Sequence, residues 1–176
     1  MSDIKKELRE NMLQLRGALP KSYREFASQV IADDFFYKWG DYDIYALYSP
    51  IGSEVDTARL TQLLAGKDML YPKVKGDELL WGKGMLTEGY GGIKEPAILV
   101  DYLPQIVAVP CLAFDRNNYR LGYGKGFYDR FLAKFPEIFS VALAFAYQEV
   151  DTVFPEKNDV RVKAVLTDKK VLAAGR

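Results

Sequence analysis

The chain has 176 residues, 49% hydrophobic and 27% charged, the make-up of one globular domain with a real core. Lys plus Arg equals Asp plus Glu at 24 each, and zero net charge argues against a dedicated nucleic-acid binder, though it leaves room for a local basic patch. Histidine is absent and Cys111 is the lone cysteine, which excludes Ser–His–Asp and Cys–His machinery, an internal disulfide and an ordinary zinc site; any metal should be a hard cation on oxygen ligands, such as Mg²⁺.

The opening MSDIKKELRENM lacks the apolar core of a secretory signal, and no later apolar run has the length of a membrane span; a cytoplasmic protein with no membrane or nucleic-acid partner is expected. The spacing predicts an amphipathic helix over residues 2–19, with Ile4, Leu8, Met12, Leu15 and Leu19 as its apolar stripe, Ser2 as its cap and Pro20 as its stop. Lys5 and Arg9, four apart, share a face beside that stripe. A second helix is predicted over 22–38, with Phe26, Val30, Ile31 and Phe35 inward. DIYALYSP, within 41–50, reads as a short buried strand running into a turn. SEVDTARLTQLLAG reads as a helix with Glu54 near its start and Gly66 closing it.

DMLYPKV (68–74) and ELLWGK read as strands, WGKG (81–84) as a turn, and TEGYGGIKEP (87–96) as a turn-rich connection. ILVDYL and QIVAVP (105–110) are strand candidates, FYDRFLAKF a helix, and FSVALAFA (139–146) and KAVLTD (163–168) the last strands. Strands that are apolar throughout, with helices between them, predict a three-layer α/β fold. Its sheet is largely parallel, Rossmann-like and flanked by helices, in a single domain over residues 1–176.

The stretch RLGYGKGFYDR, Arg120 to Arg130, concentrates backbone freedom and positive charge before a predicted helix. Ligands collect at the carboxyl ends of strands in such folds, and QIVAVP should deliver its end to this segment. Loop and first-turn N–H groups, with Arg120, Lys125 and Arg130, suit phosphate oxygens; Asp129 would help hold a Mg²⁺ bridging them. The glycines run G-x-G-x-G, which is neither a Walker A loop nor G-x-G-x-x-G. The competing reading is a tight connection with solvated cations, Asp129 favouring the helix dipole. By the same weighing Lys5 and Arg9 are a solvated helix edge, Glu54 a first-turn carboxylate and Asp159 a loop residue. Tyr123, Phe127 and Tyr128 are packing, and Cys111 a small buried hydrophobe.

Several motifs also stand in a telling order. K-x-x-x-R falls at Lys5 and Arg9, Y-S-P precedes E-V-D-T at Glu54–Thr57, and Y-P-K falls at Tyr71–Lys73. G-I-K-E-P covers Gly92–Pro96, and VPCLAFDRNNYRLGYGKGFYDRFL covers Val109–Leu132. Together they resemble the 5-formyltetrahydrofolate cyclo-ligase family, also called 5,10-methenyltetrahydrofolate synthetase, over almost the whole chain. Three positions depart from the family pattern: Cys111 in place of the usual glycine, Phe127 where tyrosine is common, and Asn158 where His-Asp is common. Residue 127 therefore has no hydroxyl for proton handling, and no imidazole stands before Asp159.

The resemblance implies an ATP- and Mg²⁺-dependent ligase that forms a C–N bond. 5-Formyltetrahydrofolate becomes 5,10-methenyltetrahydrofolate, and ADP and phosphate leave. The formyl oxygen attacks the γ-phosphorus of ATP, folate N10 attacks the activated carbon, and phosphate departs. Both nucleophiles belong to the substrate, which suits a chain without histidine. The resemblance makes Arg120, Lys125 and Glu54 catalytic. It gives ATP to Lys5, Arg9, Arg120, Gly122, Tyr123, Gly124, Lys125, Gly126, Phe127, Tyr128 and Asp129. Tyr48, Glu54 and Tyr128 would meet the folate, and Asp129 and Asp159 the Mg²⁺. A monomer is expected. Two rival functions fit the same residues: a different ATP-dependent phosphoryl transfer, which would not need the residues near Glu54, and a binding module without turnover.

Overall fold

The computed structural model describes residues 3–173. Among the described residues are four α-helices, α1 (Asp3–Ala18), α2 (Lys21–Trp39), α3 (Ala58–Leu63) and α4 (Phe127–Lys134), and ten strands. The strands are β1 (Ile44–Ala46), β2 (Asp68–Lys75), β3 (Glu78–Glu88), β4 (Lys94–Leu99), β5 (Ile106–Pro110), β6 (Ala113–Phe114), β7 (Arg120–Leu121), β8 (Phe139–Leu143), β9 (Ala164–Leu166) and β10 (Val171–Ala173).

Eight strands form one sheet in the order β10-β9-β8-β5-β1-β2-β3-β4. The five inner strands from β9 to β2 are parallel, and both flanks are antiparallel. The chain runs outward in opposite directions from β1 and β5, so those neighbours flank the point where strand order reverses. A crevice opens at the carboxyl ends of strands at such a point.

Side chains alternate across the inner strands and are buried on both faces, which is why these segments read as unbroken apolar runs. On one face Tyr45, Ile106, Ala108, Val141 and Leu166 pack with Ile31 and Phe35 of α2 and Leu60 of α3. On the other, Val107, Val109, Ala142 and Val165 pack with Phe131 and Leu132 of α4 and Trp81 of β3. The expected three-layer, largely parallel α/β fold is the one observed.

Several local expectations fail for identifiable reasons. In α1 the buried residues are Lys5, Met12 and Arg16, while Ile4 and Leu15 are about half exposed, at 52% and 54%. Polar partners turn the helix: the basic face finds carboxylates and carbonyls, while Leu8 and Met12 pack into the apolar cluster with Leu112, Ala113 and Leu121. The cap expected at Ser2 lies outside the described residues. In α2, Phe26 points to solvent, and Ala27 and Ser28 take the inward positions.

Glu54 precedes α3 instead of opening it, because its carboxylate folds back onto the N–H of Ile51. WGKG is part of β3; Gly84, at φ +89°, sits where the register with β4 shifts. ILVDYL ends as a strand at Leu99, and β10 adds an antiparallel edge. QIVAVP does not lead straight into the glycines. The two-stranded β6–β7 hairpin intervenes, its turn held by Asp115, which accepts the N–H groups of Asn117 and Tyr119.

Candidate active site

A cavity of about 470 Å³ opens at the crevice between the ends of β1 and β5. The segment after β1 supplies Tyr48, Ile51 and Glu54. The loop after β7 supplies Gly122 to Gly126, and α4 supplies Phe127, Tyr128 and Asp129. Helix α1 brings Lys5 and Arg9, the loop before β9 brings Asp159, and β7 brings Arg120. Every side chain or glycine that the resemblance pointed to therefore lines this one cavity.

Positive charge gathers at one end. Lys5 is only 4% exposed and pairs with Asp159, with Glu156 Oε1 3.8 Å away. Arg9 Nε donates to Gly122 O at 2.8 Å, fixing the start of the glycine loop. Burial lowers the pKa of Arg9, opposed by the charges of Asp159 and Glu156. Arg120 Nη1 donates to Asp129 Oδ1 at 3.0 Å and to Val160 O at 2.9 Å. Gly124 and Gly126 hold φ of +94° and +69°, a region that suits glycine and that curls the loop into the start of α4.

Arg130 departs from its expected place. Its guanidinium lies 5.2 Å from the Phe127 ring centre and donates to Asp77 O and Lys125 O, so it braces the loop from outside the cavity lining.

The other end is apolar and aromatic, with Pro72, Val74, Leu79 and Ile93 beside Tyr48 and Tyr90. Tyr90, on the β3–β4 connection, meets the Phe127 ring edge-on at 5.8 Å between centres. Glu54 is a nearly buried carboxylate that meets the glycine loop, taking the Tyr123 hydroxyl on Oε1 at 2.8 Å and Ile51 N–H on Oε2 at 2.9 Å. Burial raises its pKa against those two hydrogen bonds and the charge of Arg16. Burial also pushes the Tyr123 phenol up to about 12, with the Glu54 charge adding to it, and raises Tyr48 and Tyr128. These phenols stay protonated at neutral pH; Tyr48 donates to Val55 O and Tyr123 to Glu54 Oε1. Burial takes the Cys111 thiol to about 12, in keeping with a packing residue.

No group of three or more His, Cys, Asp or Glu side chains that could hold a metal gathers among the described residues. Asp129 already accepts Arg120 and Val160 N–H, and Asp159 accepts Lys5 and Glu156 N–H. That donor set forms no all-protein cage. It fits a Mg²⁺ that takes one or two carboxylates and keeps phosphate oxygens and water as its other ligands.

The expected site residues leave out Arg16 and Glu95. Arg16 is buried and reaches Tyr123; the signal was present as a helical repeat of cations, Lys5, Arg9 and Arg16. Glu95 lies in the G-I-K-E-P motif, and its Oε1 accepts the N–H groups of Val74 and Tyr90, shaping the apolar wall.

A family model described as the 5-formyltetrahydrofolate cyclo-ligase family matches residues 1–168. A 5-formyltetrahydrofolate cyclo-ligase of Mycolicibacterium smegmatis is 31% identical over 191 residues, covering 98% of this chain and 97% of that one. The NMR structure of Aquifex aeolicus 5,10-methenyltetrahydrofolate synthetase matches at a TM-score of 0.86 and 31% identity, over 98% of this chain and 95% of that one. A 5,10-methenyltetrahydrofolate synthetase structure from Mycoplasma pneumoniae matches at a TM-score of 0.78 and 27% identity, over 95% and 99%. The chain belongs to the 5-formyltetrahydrofolate cyclo-ligase family and is an enzyme of that kind.

Proposed function

We propose that the conversion of 5-formyltetrahydrofolate to 5,10-methenyltetrahydrofolate, the reaction of this family, runs here on ATP. The formyl oxygen attacks the γ-phosphorus and ADP leaves. Folate N10 then attacks the carbon that bears the phosphorylated oxygen, gives up its proton as the ring closes, and the C–O bond breaks to release phosphate. A formamide carbonyl is a poor electrophile and its oxygen a poor leaving group, so phosphorylation answers both difficulties.

The observation that carries this reading is the joining of two unlike surfaces in one cavity. A cationic glycine loop forms one part of the lining and an apolar, aromatic wall another; the buried carboxylate of Glu54 meets the loop at Tyr123, and that of Glu95 backs the wall. Its volume of about 470 Å³ is in the range of small-molecule sites. Arg120 and Lys125, with the loop N–H groups, would hold the γ-phosphoryl group as charge develops on it, with Lys5 and Arg9 on the neighbouring phosphates. Glu54 would take donors of the folate, and Tyr48 and Tyr128 would line its pocket. Asp129 and Asp159 would hold Mg²⁺ with the phosphate oxygens, and the ion would supply charge neutralisation there.

What the residues contribute is alignment and electrostatic complementarity, because both nucleophiles come with the substrate. The test is a direct assay of purified protein with MgATP and 5-formyltetrahydrofolate, followed by the near-ultraviolet absorbance of the methenyl product and by phosphate release. One phosphate per methenyl product supports the reading. Product without ATP consumption would overturn the phosphorylation step, and absence of product beside an active control would overturn the reaction.

A further inference from the structure

Arg16 is 2% exposed, lies in the last turn of α1 and does not line the cavity. Its guanidinium spends all three nitrogens on different parts of the chain. Nε donates to Ser53 Oγ at 3.0 Å, Nη1 to Cys111 O at 3.1 Å, and Nη2 to the Tyr123 hydroxyl at 2.8 Å. Ser53 follows β1, Cys111 follows β5, and Tyr123 stands in the glycine loop. One buried cation thus ties the two strand ends flanking the crevice to the loop between Arg120 and α4.

The contact continues. The Tyr123 hydroxyl accepts from Arg16 and donates to Glu54 Oε1 at 2.8 Å. Guanidinium, hydroxyl and carboxylate form a chain of fixed direction, in which each link polarises the next. The same helix also holds the start of the loop, through Arg9 Nε and Gly122 O at 2.8 Å.

We infer that Arg16 is a positioning residue which, through the Tyr123 hydroxyl, couples occupancy of the glycine loop to the placement of Glu54, so that nucleotide and folate bind with positive cooperativity. The inference rests on the reading of the loop as the phosphate site and of Glu54 as the folate contact. A phosphate on the loop N–H groups fixes Tyr123, and Tyr123 fixes one carboxylate oxygen of Glu54. The ordering needed by the second ligand has then been done by the first, and linkage makes the effect reciprocal.

Calorimetry on the full chain tests this. A non-hydrolysable ATP analogue with Mg²⁺ and 5-formyltetrahydrofolate are each titrated alone and in the presence of the other, with thermal unfolding measured alongside. The parent should bind each ligand about 5–150-fold tighter when the other is present. Tyr123→Phe keeps the ring and deletes the link; whatever its affinity for either ligand alone, the coupling factor should fall to within about twofold of one. Arg16→Lys keeps the charge and loses the fork, and should lower the same factor. The double variant should lose no more than Tyr123→Phe does, since both changes break one chain. A coupling factor that survives Tyr123→Phe overturns the inference, even if Arg16→Lys fails to fold. Binding of both ligands by the parent without coupling also overturns it, and leaves the site reading intact. Failure of the parent to bind either ligand overturns the site reading and the inference together. A merely structural Arg16 would lower the unfolding temperature without moving the coupling factor.

Discussion

Arg120 Nη1 lies 3.0 Å from Asp129 Oδ1, and the two residues bracket the glycine loop from β7 and from the first turn of α4. The same carboxylate oxygen takes Val160 N–H at 3.0 Å, while Arg120 holds Val160 O at 2.9 Å. The two ends of the glycine loop and the distant segment at Val160 close around one ion pair, whose arginine side chain is 3% exposed. Asp129 therefore has a structural duty besides any metal duty. Asp129→Asn should lower the unfolding free energy by about 1.5–3 kcal/mol, the usual worth of a hydrogen bond to a charged group. Urea titration checks this. Should Asp129 also serve Mg²⁺, the variant's turnover will need a higher Mg²⁺ concentration. An unchanged Mg²⁺ titration with lost stability would confine Asp129 to the clamp.

Lys125 offers the cleaner test of electrostatic catalysis. Its carbonyl accepts Arg130, and the residue is exposed and lines the cavity. Lys125→Ala should lower kcat by ~10²-fold through lost charge stabilisation in the transition state. Its stability should stay within about 0.5 kcal/mol of the parent. Arg120→Ala should match that loss of turnover but also unfold earlier, because it leaves Asp129 unpaired. Unchanged kcat and KM for ATP in both variants would remove the phosphate role of the loop.

The glycines separate folding from ligand approach. A Cβ on Gly122 would meet nothing within 4 Å, whereas Gly126 has φ +69° and a Cβ there would lie 2.9 Å from Arg130 Nη1. Gly126→Ala should therefore destabilise the free protein by about 1–2 kcal/mol, the penalty of a left-handed conformation. Gly122→Ala should leave the free protein within about 0.5 kcal/mol of the parent. If the backbone at Gly122 approaches a phosphate closely, the same change will raise the KM for ATP. Equal KM values in Gly122→Ala and parent would show that the ligand keeps its distance there.

Much of this was legible in the sequence. The inner strands announced themselves as apolar runs because both faces of the sheet are covered, and the glycine loop announced itself because left-handed residues need glycine. What hydropathy misread was burial driven by polar pairing. Lys5 and Arg16 are buried by the groups they bind, so a count of apolar positions placed Leu8, Met12 and Leu19 inward correctly but missed the buried cations and wrongly buried Ile4 and Leu15. Glu54 looked like a helix opener because its turn is held by its own side chain, a contact that carries no periodicity. The β6–β7 hairpin has only two residues per strand, too few for a pattern to show. The clustering of site residues follows from the strand order, which brings segments from α1 to the loop before β9 to one crevice; no local reading of propensity contains that order.

Glu54 gives the last prediction, on pH. Burial holds its carboxyl above the ordinary value of 4.5, while Ile51 N–H, the Tyr123 hydroxyl and Arg16 act in the opposite direction. A raised value in the folded chain means that folding favours the protonated form. This contribution to stability is complete below the ordinary value and is lost as pH rises through the raised folded value. Glu54→Gln removes the titration and keeps the shape, so the stability of the parent minus that of the variant cancels every other group. That difference should fall as pH climbs from below 4.5, then level off once the carboxyl is fully ionised in the folded chain. Urea midpoints of the ligand-free proteins at closely spaced pH values supply the curve. A difference that rises with pH would mean that the link from Arg16 through Tyr123 outweighs burial, and that the folded chain prefers the charged form of Glu54.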